Sequence, residues 1–198
     1  MTELAGLLLA GGRSSRFGSD KALAVVDGQT LLARAEACLR VVCDGPIFVA
    51  SGDGVSRPGV GDGQVADLIA DAGPLSAIAA GLTALAAAGH DGGVAVLAVD
   101  HPYPSPALLE LLAQGGAGRV DCHMARVNGR DQPLQAVWDT QAAVAASEAV
   151  RAGERSVLRF LATREVQVVD EFWLVESGIN LDALRDVDRP EDLPGQDQ

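Results

Sequence analysis

Several stretches of this chain contain little but small apolar residues over the length of one β-strand, and longer stretches with helical spacing separate them. The clearest is Gly93-Val94-Ala95-Val96-Leu97-Ala98-Val99. A run with no polar alternation is buried on both faces. Residues 4–9 and 47–50 are of the same kind, and 65–69 reads as a further strand. Thr30 is placed to cap a helix through residue 42, with Leu31, Leu32, Ala35 and Leu39 on one face. Gly73-Pro74 opens a second helix, in which Leu75, Ile78, Ala79, Leu82 and Leu85 follow the helical period, and residues 106–113 form a third.

Buried strands alternating with helices dictate a parallel sheet covered on both sides. The expected fold is therefore α/β, a Rossmann-like three-layer α/β/α arrangement with a mostly parallel sheet. Beyond residue 121 the alternation is less regular. Strands are read at 122–127, 134–138 and 166–169, helices at 142–151 and 155–162, with antiparallel pairing entering there. At 198 residues and without repeats or linkers, the chain reads as one domain, ending in a solvated tail over 194–198. Aromatic residues are 4% of the sequence, so the core is built from small aliphatics.

The formal net charge of −12 excludes a general nucleic-acid binder, which needs a basic face. Three cysteines, Cys38, Cys43 and Cys122, fit neither a disulfide framework nor a zinc pattern. The opening Met1-Thr2-Glu3-Leu4 has no basic residue, and the apolar run behind it breaks at two glycines. Neither a signal peptide nor a membrane span is expected, and a reducing cytoplasm is the expected compartment.

The first strand runs into Leu9-Ala10-Gly11-Gly12-Arg13-Ser14-Ser15-Arg16-Phe17-Gly18-Ser19-Asp20-Lys21. Lys21 is the only lysine among 15 basic residues. A lysine kept in so arginine-biased a chain points to a compact ammonium at a phosphate site. Two glycines leave no Cβ in the way of phosphate oxygens, and successive N–H groups of such a loop can face an anion. The spacing matches neither the P-loop nor the G-x-G-x-x-G dinucleotide loop. At the end of the most buried strand stands Asp100, followed by His101-Pro102-Tyr103. In an open α/β sheet, ligands bind outside the carboxyl ends of strands, so Asp100 faces the same crevice as the glycine loop. A carboxylate before a proline can stop a strand through an Asx turn; here it is read as a ligand for a divalent cation.

Leu9-Ala10-Gly11-Gly12 with Arg16, Gly18, Asp20 and Lys21 resembles the signature of the nucleotidyltransferases. Within that superfamily the chain most resembles the molybdenum cofactor guanylyltransferases. Matching pieces follow in order: Asp67; Asp71 through Leu75; Val99 through Tyr103; Gly129 through Pro133; Ala152 through Arg155; and Asp186 through Leu193. The resemblance implies a nucleotidyltransferase fold whose residues 1–110 bind nucleotide and whose residues 111–193 bind the acceptor. It implies that Leu9, Ala10, Gly11, Gly12 and Asp67 line the nucleotide, and that Arg16 and Lys21 neutralise the triphosphate. Asp100 is then the magnesium ligand, and Gln132 and Arg155 face the acceptor. The family's usual asparagine after the second strand is replaced here by Ala50 and Ser51, and its Asn-x-Asn near the C-terminus by Asp186-Val187-Asp188. Asp188 is open between a second metal contact and a cap for a short terminal helix; His101 is given no role. Ser76-Ala77 stands where Ala-Gly is usual.

The implied reaction joins GMP from GTP to the terminal phosphate of molybdenum-loaded molybdopterin, with Mg2+ as cofactor and release of pyrophosphate. Transient contact with the enzymes that receive the cofactor goes with it. A cytidylyltransferase of molybdopterin, or an enzyme using a sugar phosphate or phospholactate, is the nearest alternative. A nucleotide sensor without catalysis is the alternative of another class.

Overall fold

The apolar runs fold as strands because each can bury both faces between helices. The computed structural model describes residues 3–11, 20–52, 55–115 and 120–194. The first run forms β1 (Ala5–Leu9). A single 3-10 turn, Lys21–Leu23, leads to a small hairpin of β2 (Val25–Val26) and β3 (Gln29–Thr30). Its turn residues Asp27 and Gly28 both have positive φ, 48° and 78°, the left-handed pair that a two-residue hairpin requires. Thr30 then caps α1 (Leu31–Val42), its hydroxyl accepting from Ala33 N–H at 3.1 Å. β4 (Ile47–Ala50), β5 (Gly63–Val65) and α2 (Pro74–Ala87) follow. Next come β6 (Gly93–Ala98), α3 (Pro106–Ala113), β7 (Cys122–Val127) and β8 (Arg130–Asp139). α4 (Ala142–Arg151), α5 (Val157–Leu161), β9 (Val166–Asp170) and α6 (Glu171–Glu176) complete the chain, with short 3-10 turns at Leu181–Leu184 and Pro190–Asp192.

The main sheet has the order β5-β4-β1-β6-β8-β7-β9. Among the described residues every ladder in it is parallel except the two made by β8. Side chains alternate across the sheet, so Leu7 and Leu9 pack on one face and Leu8 on the other. The first face meets α2, α4 and α5 through Ile78, Leu82, Ala146 and Phe160. The second meets α1, α3 and α6 through Leu32, Leu39, Leu108, Leu112 and Leu174. This is the three-layer arrangement expected from the alternation. Gly81 sets how closely α2 approaches, since a Cβ there would fall 2.4 Å from the Leu7 side chain.

Three boundaries differ from the sequence reading. The third strand covers Gly63–Val65 rather than residues 65–69. β4 ends at Ala50, opposite Val65, so later residues have no strand beside them. They turn to α2 instead: Ile69 N–H donates to Ser76 Oγ at 2.8 Å, and that hydroxyl donates to the Ile69 carbonyl at 2.9 Å. The fifth helix begins at Val157, because Ser156 caps it. β8 begins four residues early, at Arg130. The hairpin strand β3 and helix α6 are additions that no apolar run announces.

β8 carries an irregularity that matters below. Met124 pairs with Ala136 and Ala125 with Gln132, so residues 133–135 bulge out of register. Pro133 has no N–H for the ladder, which favours a break there. Its carbonyl is satisfied by Trp138 Nε1–H at 3.0 Å, and the fully buried indole stacks on Phe160 with ring centroids 6.3 Å apart. Trp138→Ala is expected to lower the unfolding free energy by about 3–5 kcal/mol. Trp138→Phe keeps a ring but leaves the Pro133 carbonyl unpaired, for a smaller loss of about 1–3 kcal/mol. Urea unfolding of both variants measures this, and wild-type stability of Trp138→Phe would mean that the bulge does not depend on the indole.

Candidate active site

Strands β1, β4 and β6 are parallel neighbours, so their carboxyl ends open on one edge of the sheet. Leu9 stands opposite Ala50 on one side and Ala98 on the other, which brings Gly11, Ser51 and Asp100 together just beyond. The loops after β1 and β4 touch backbone to backbone. A Cβ on Gly11 would lie 1.9 Å from Gly52 N, a position no side chain can take.

Behind this contact is a cleft of about 600 Å³. Its floor is apolar, from Leu9, Ala50, Pro74 and Ala77, and Asp67 and Asp71 contribute carboxylates. Asp71 and Gly73 have positive φ, 58° and 82°, which turns the chain sharply into α2. Arg155 closes the far side, its Nη1 donating to the Asp71 carbonyl at 2.9 Å.

A second cleft of about 360 Å³ shares Pro74 and Arg155 with the first. One wall is Asp100 and His101; another is Asp131, Gln132, Pro133 and Leu134, the start of the β8 bulge. Asp186 and the first turn of α5 complete it. The segment carrying Arg155 is fixed by Glu154, whose Oε1 accepts from the N–H groups of Ser156 and Arg155, both at 2.7 Å. The Ser156 N–H foremost, with that of Arg155 and the Arg159 guanidinium, holds the Glu154 carboxyl below its ordinary value.

Arg155 is the charged group that the two clefts share, and Asp100 stands on the wall of the second. Lys21 Nζ lies 3.7 Å from its Oδ2, and His101 Nε2 lies 3.7 Å from its Oδ1. That Oδ1 is buried and accepts no hydrogen bond among the described residues. A buried carboxylate oxygen with no donor is suited to a cation. Among the described residues no three His, Cys, Asp or Glu side chains converge as a ready-made metal cage. One carboxylate plus substrate phosphates is how Mg2+ is commonly held, so the donor set fits a metal that enters with a nucleotide. His101 is itself buried and bonded through Nδ1 to the Arg185 carbonyl at 3.3 Å. Arg34 ties the β2–β3 hairpin to the same loop, donating to the carbonyls of Val26 at 3.0 Å and Pro102 at 3.3 Å and stacking over Tyr103.

The structure brings Leu9, Gly11 and Asp67 to the first cleft, Gln132 and Arg155 to the second, and Lys21 to Asp100. Ala10 is buried behind the first cleft. Gly12 and Arg16 lie outside the described residues, as do residues 195–198 of the expected tail. Asp188 is not on either wall. It is exposed, and its N–H is taken by the Asp192 carboxylate at 3.2 Å within a terminal 3-10 turn; Asp186 is the one that lines the second cleft. Sequence reasoning missed Arg57, buried against the Ala10 carbonyl and Asp20. Its one signal is that it is the only cation in the Gly- and Ser-rich stretch over residues 51–63.

Comparison with known proteins agrees with this geometry. Residues 6–168 match the family described as a MobA-like NTP transferase domain. A probable molybdenum cofactor guanylyltransferase of Opitutus terrae is 37% identical over 87% of this chain and 88% of its own. Another from Natronomonas pharaonis is 32% identical over 98% and 96%. The crystal structure of molybdopterin-guanine dinucleotide biosynthesis protein A from Archaeoglobus fulgidus superposes with a TM-score of 0.78 at 22% identity, over 95% of this chain and 94% of that one. With the fold shared and the sequence match running from β1 to β9, the chain belongs to the MobA-like NTP transferase family.

Proposed function

We propose that the chain transfers the GMP moiety of GTP to the terminal phosphate of molybdenum-loaded molybdopterin and releases pyrophosphate. The observation that carries this is the pairing of two clefts that share Pro74 and Arg155, the second walled by Asp100 with Lys21 beside it. The names of the relatives support guanine and this acceptor. The larger cleft takes the nucleotide, with the Gly11 backbone close to its phosphates and Asp67 near the nucleoside. Guanine presents N–H donors on its pairing edge, and the cleft offers acceptor carboxylates. The second cleft takes the acceptor, with Gln132 and Arg155 toward its phosphate. In this reading residues 1–110 are the nucleotide-binding part and residues 111–193 the acceptor-binding part, with Arg155 reaching the first cleft and Pro74, Asp100 and His101 reaching the second.

An acceptor phosphate oxygen attacks the α-phosphorus of GTP, the bond from that phosphorus to the β-phosphate oxygen breaks, and pyrophosphate leaves. The nucleophile is already an anion, so no side chain has to remove a proton from it. The barrier is bringing two anions into line and stabilising charge on the leaving group. Lys21, with Arg16, neutralises that charge. Arg155, facing both clefts, holds the two phosphate-bearing substrates near each other. Asp100 would hold magnesium, which would supply further positive charge to the phosphates. No helix among the described residues is long and apolar enough to cross a membrane, and the thiols of Cys38 and Cys43 are pushed by burial up to about 12. Inert, unpaired thiols suit a reducing cytoplasm, where the product passes to cofactor-using enzymes by transient contact.

With molybdenum-loaded molybdopterin and magnesium, pyrophosphate release is expected with GTP and not with CTP. Release with CTP alone would reassign the base. Release with neither, alongside measurable GTP binding, would make the protein a sensor. Lys21→Ala and Asp100→Ala are each expected to lower turnover by about 100-fold or more while thermal unfolding is unchanged. Turnover in either variant near that of the parent would remove its side chain from the reaction.

A further inference from the structure

One arginine outside both clefts reaches the two ends of the glycine-rich loop. Arg57 lies between β4 and β5, and its side chain is 5% exposed. Its Nη2 donates to the Ala10 carbonyl at 2.8 Å, where the chain leaves β1. Its Nη1 donates to Asp20 Oδ2 at 2.9 Å, and its Nη2 lies 3.4 Å from Asp20 Oδ1, where the chain returns at Lys21. Arg57 is itself anchored from behind. Its N–H donates to Gln64 Oε1 at 3.4 Å, and its carbonyl accepts from Gln64 Nε2 at 3.3 Å. Gln64 belongs to β5, so the arginine hangs from the sheet.

Asp20 is the link forward. Its Oδ1 accepts from Ala22 N–H at 3.0 Å and so caps the turn Lys21–Leu23 that aims Lys21 at Asp100. A carboxylate at the foot of an anion-binding loop would otherwise repel a triphosphate. The Arg57 guanidinium neutralises it, and its planar fork presents separate donors to both partners in a fixed geometry that a compact ammonium lacks.

We infer that Arg57 is a positioning residue for Gly11 and Lys21: it holds the neighbouring Ala10 carbonyl and Asp20, cancels the charge of Asp20, and thereby sets affinity for the polyphosphate of the nucleotide. The inference rests on the nucleotide-transfer reading only in assigning Gly11 and Lys21 to a polyphosphate. Its test therefore needs neither the acceptor nor a particular base.

The experiment is calorimetric titration of inorganic tripolyphosphate, GTP and CTP, each with magnesium, into the parent protein, Arg57→Gln, Asp20→Asn and the double variant. Arg57→Gln is expected to weaken tripolyphosphate, and whichever nucleotide the parent binds, by about tenfold or more, the effect of losing a charged hydrogen-bonded partner. In the Asp20→Asn background the same change is expected to matter less than about threefold, because no unpaired carboxylate is left. A purely structural role predicts the same loss in both backgrounds, and that result overturns the inference. Parent-like affinity in a folded Arg57→Gln overturns it as well. Should Arg57→Gln not fold, Arg57→Lys carries the test, with binding about threefold weaker or more expected because the fork is gone; unchanged binding there is the overturning result. A parent that binds tripolyphosphate but fails to release pyrophosphate from GTP defeats the transfer reading and leaves the role of Arg57 intact. A parent that binds none of the three ligands defeats both.

Discussion

The parallel pairing of β1 between β4 and β6 is the constraint on which the rest of this molecule depends. β1 is apolar along its whole length and buried on both faces, so it can only be central. Three parallel neighbours release their next residues on the same edge of the sheet. The register then decides what meets there: Leu9 stands level with Ala50 and Ala98, and two steps further on stand Gly11, Gly52 and Asp100. Small residues at the first two ends let the backbones close to contact, which Gly11 and Gly52 do. The bulky and charged groups come in from elsewhere: Lys21 from a turn, Arg155 from the segment before α5, and Gln132 from the reversed strand β8. Core packing thus builds the crevice, and peripheral elements supply its chemistry.

A chain with net charge −12 must solve a local problem if it binds polyphosphates. It does so by pairing. Asp20, beside the glycine-rich loop, is covered by Arg57, and Asp100 is approached by Lys21. Lys21 is thus held beside Asp100 at the second cleft, while the buried Arg57 cancels the charge of Asp20 from outside both clefts. Surface acidity elsewhere, on exposed groups separated by water and salt, has little reach into such a crevice. Net charge therefore excludes a nucleic-acid groove but says little about a small anionic ligand.

The parts of the fold that are legible in the sequence are those set by local pattern. Gly93–Ala98 and Ala5–Leu9 contain no polar residue to contradict a buried strand, and Thr30 is followed at once by a helical face. Asp27-Gly28 carries the local signal of a turn, but the strand that follows it is two residues long and leaves no pattern. The third strand is shifted because its end is set by where β4 stops, which lies 15 residues back in the chain. Among the site residues, Lys21 stood out by composition and Asp100 by its place at a strand end. Gln132 and Arg155 came only from family resemblance, since they meet through a bulge that no periodicity reveals. Arg57 was illegible because its partners are 37 and 47 residues away and it sits in a stretch that reads as plain loop.

The C-terminal segment shows how one replaced motif can serve two purposes. Val187 is fully buried against Val26, Leu31 and Leu193, and its N–H donates to the Asp100 carbonyl at 2.9 Å. The backbone of Asp186-Val187-Asp188 therefore straps the β2–β3 hairpin to the loop that carries Asp100. Its alternating side chains are sorted by that strap. With Val187 turned inward, Asp186 lines the second cleft, and Asp188 is left outside, where its N–H joins the cap made by Asp192. Carboxylates at both flanking positions are thus not equivalent. The first adds negative charge beside Asp100, in a cleft whose other charged groups include Arg155, and the second belongs to the terminal turn. In this chain the strap itself is made by the backbone and by Val187, so changing the flanking side chains leaves the support of Asp100 in place.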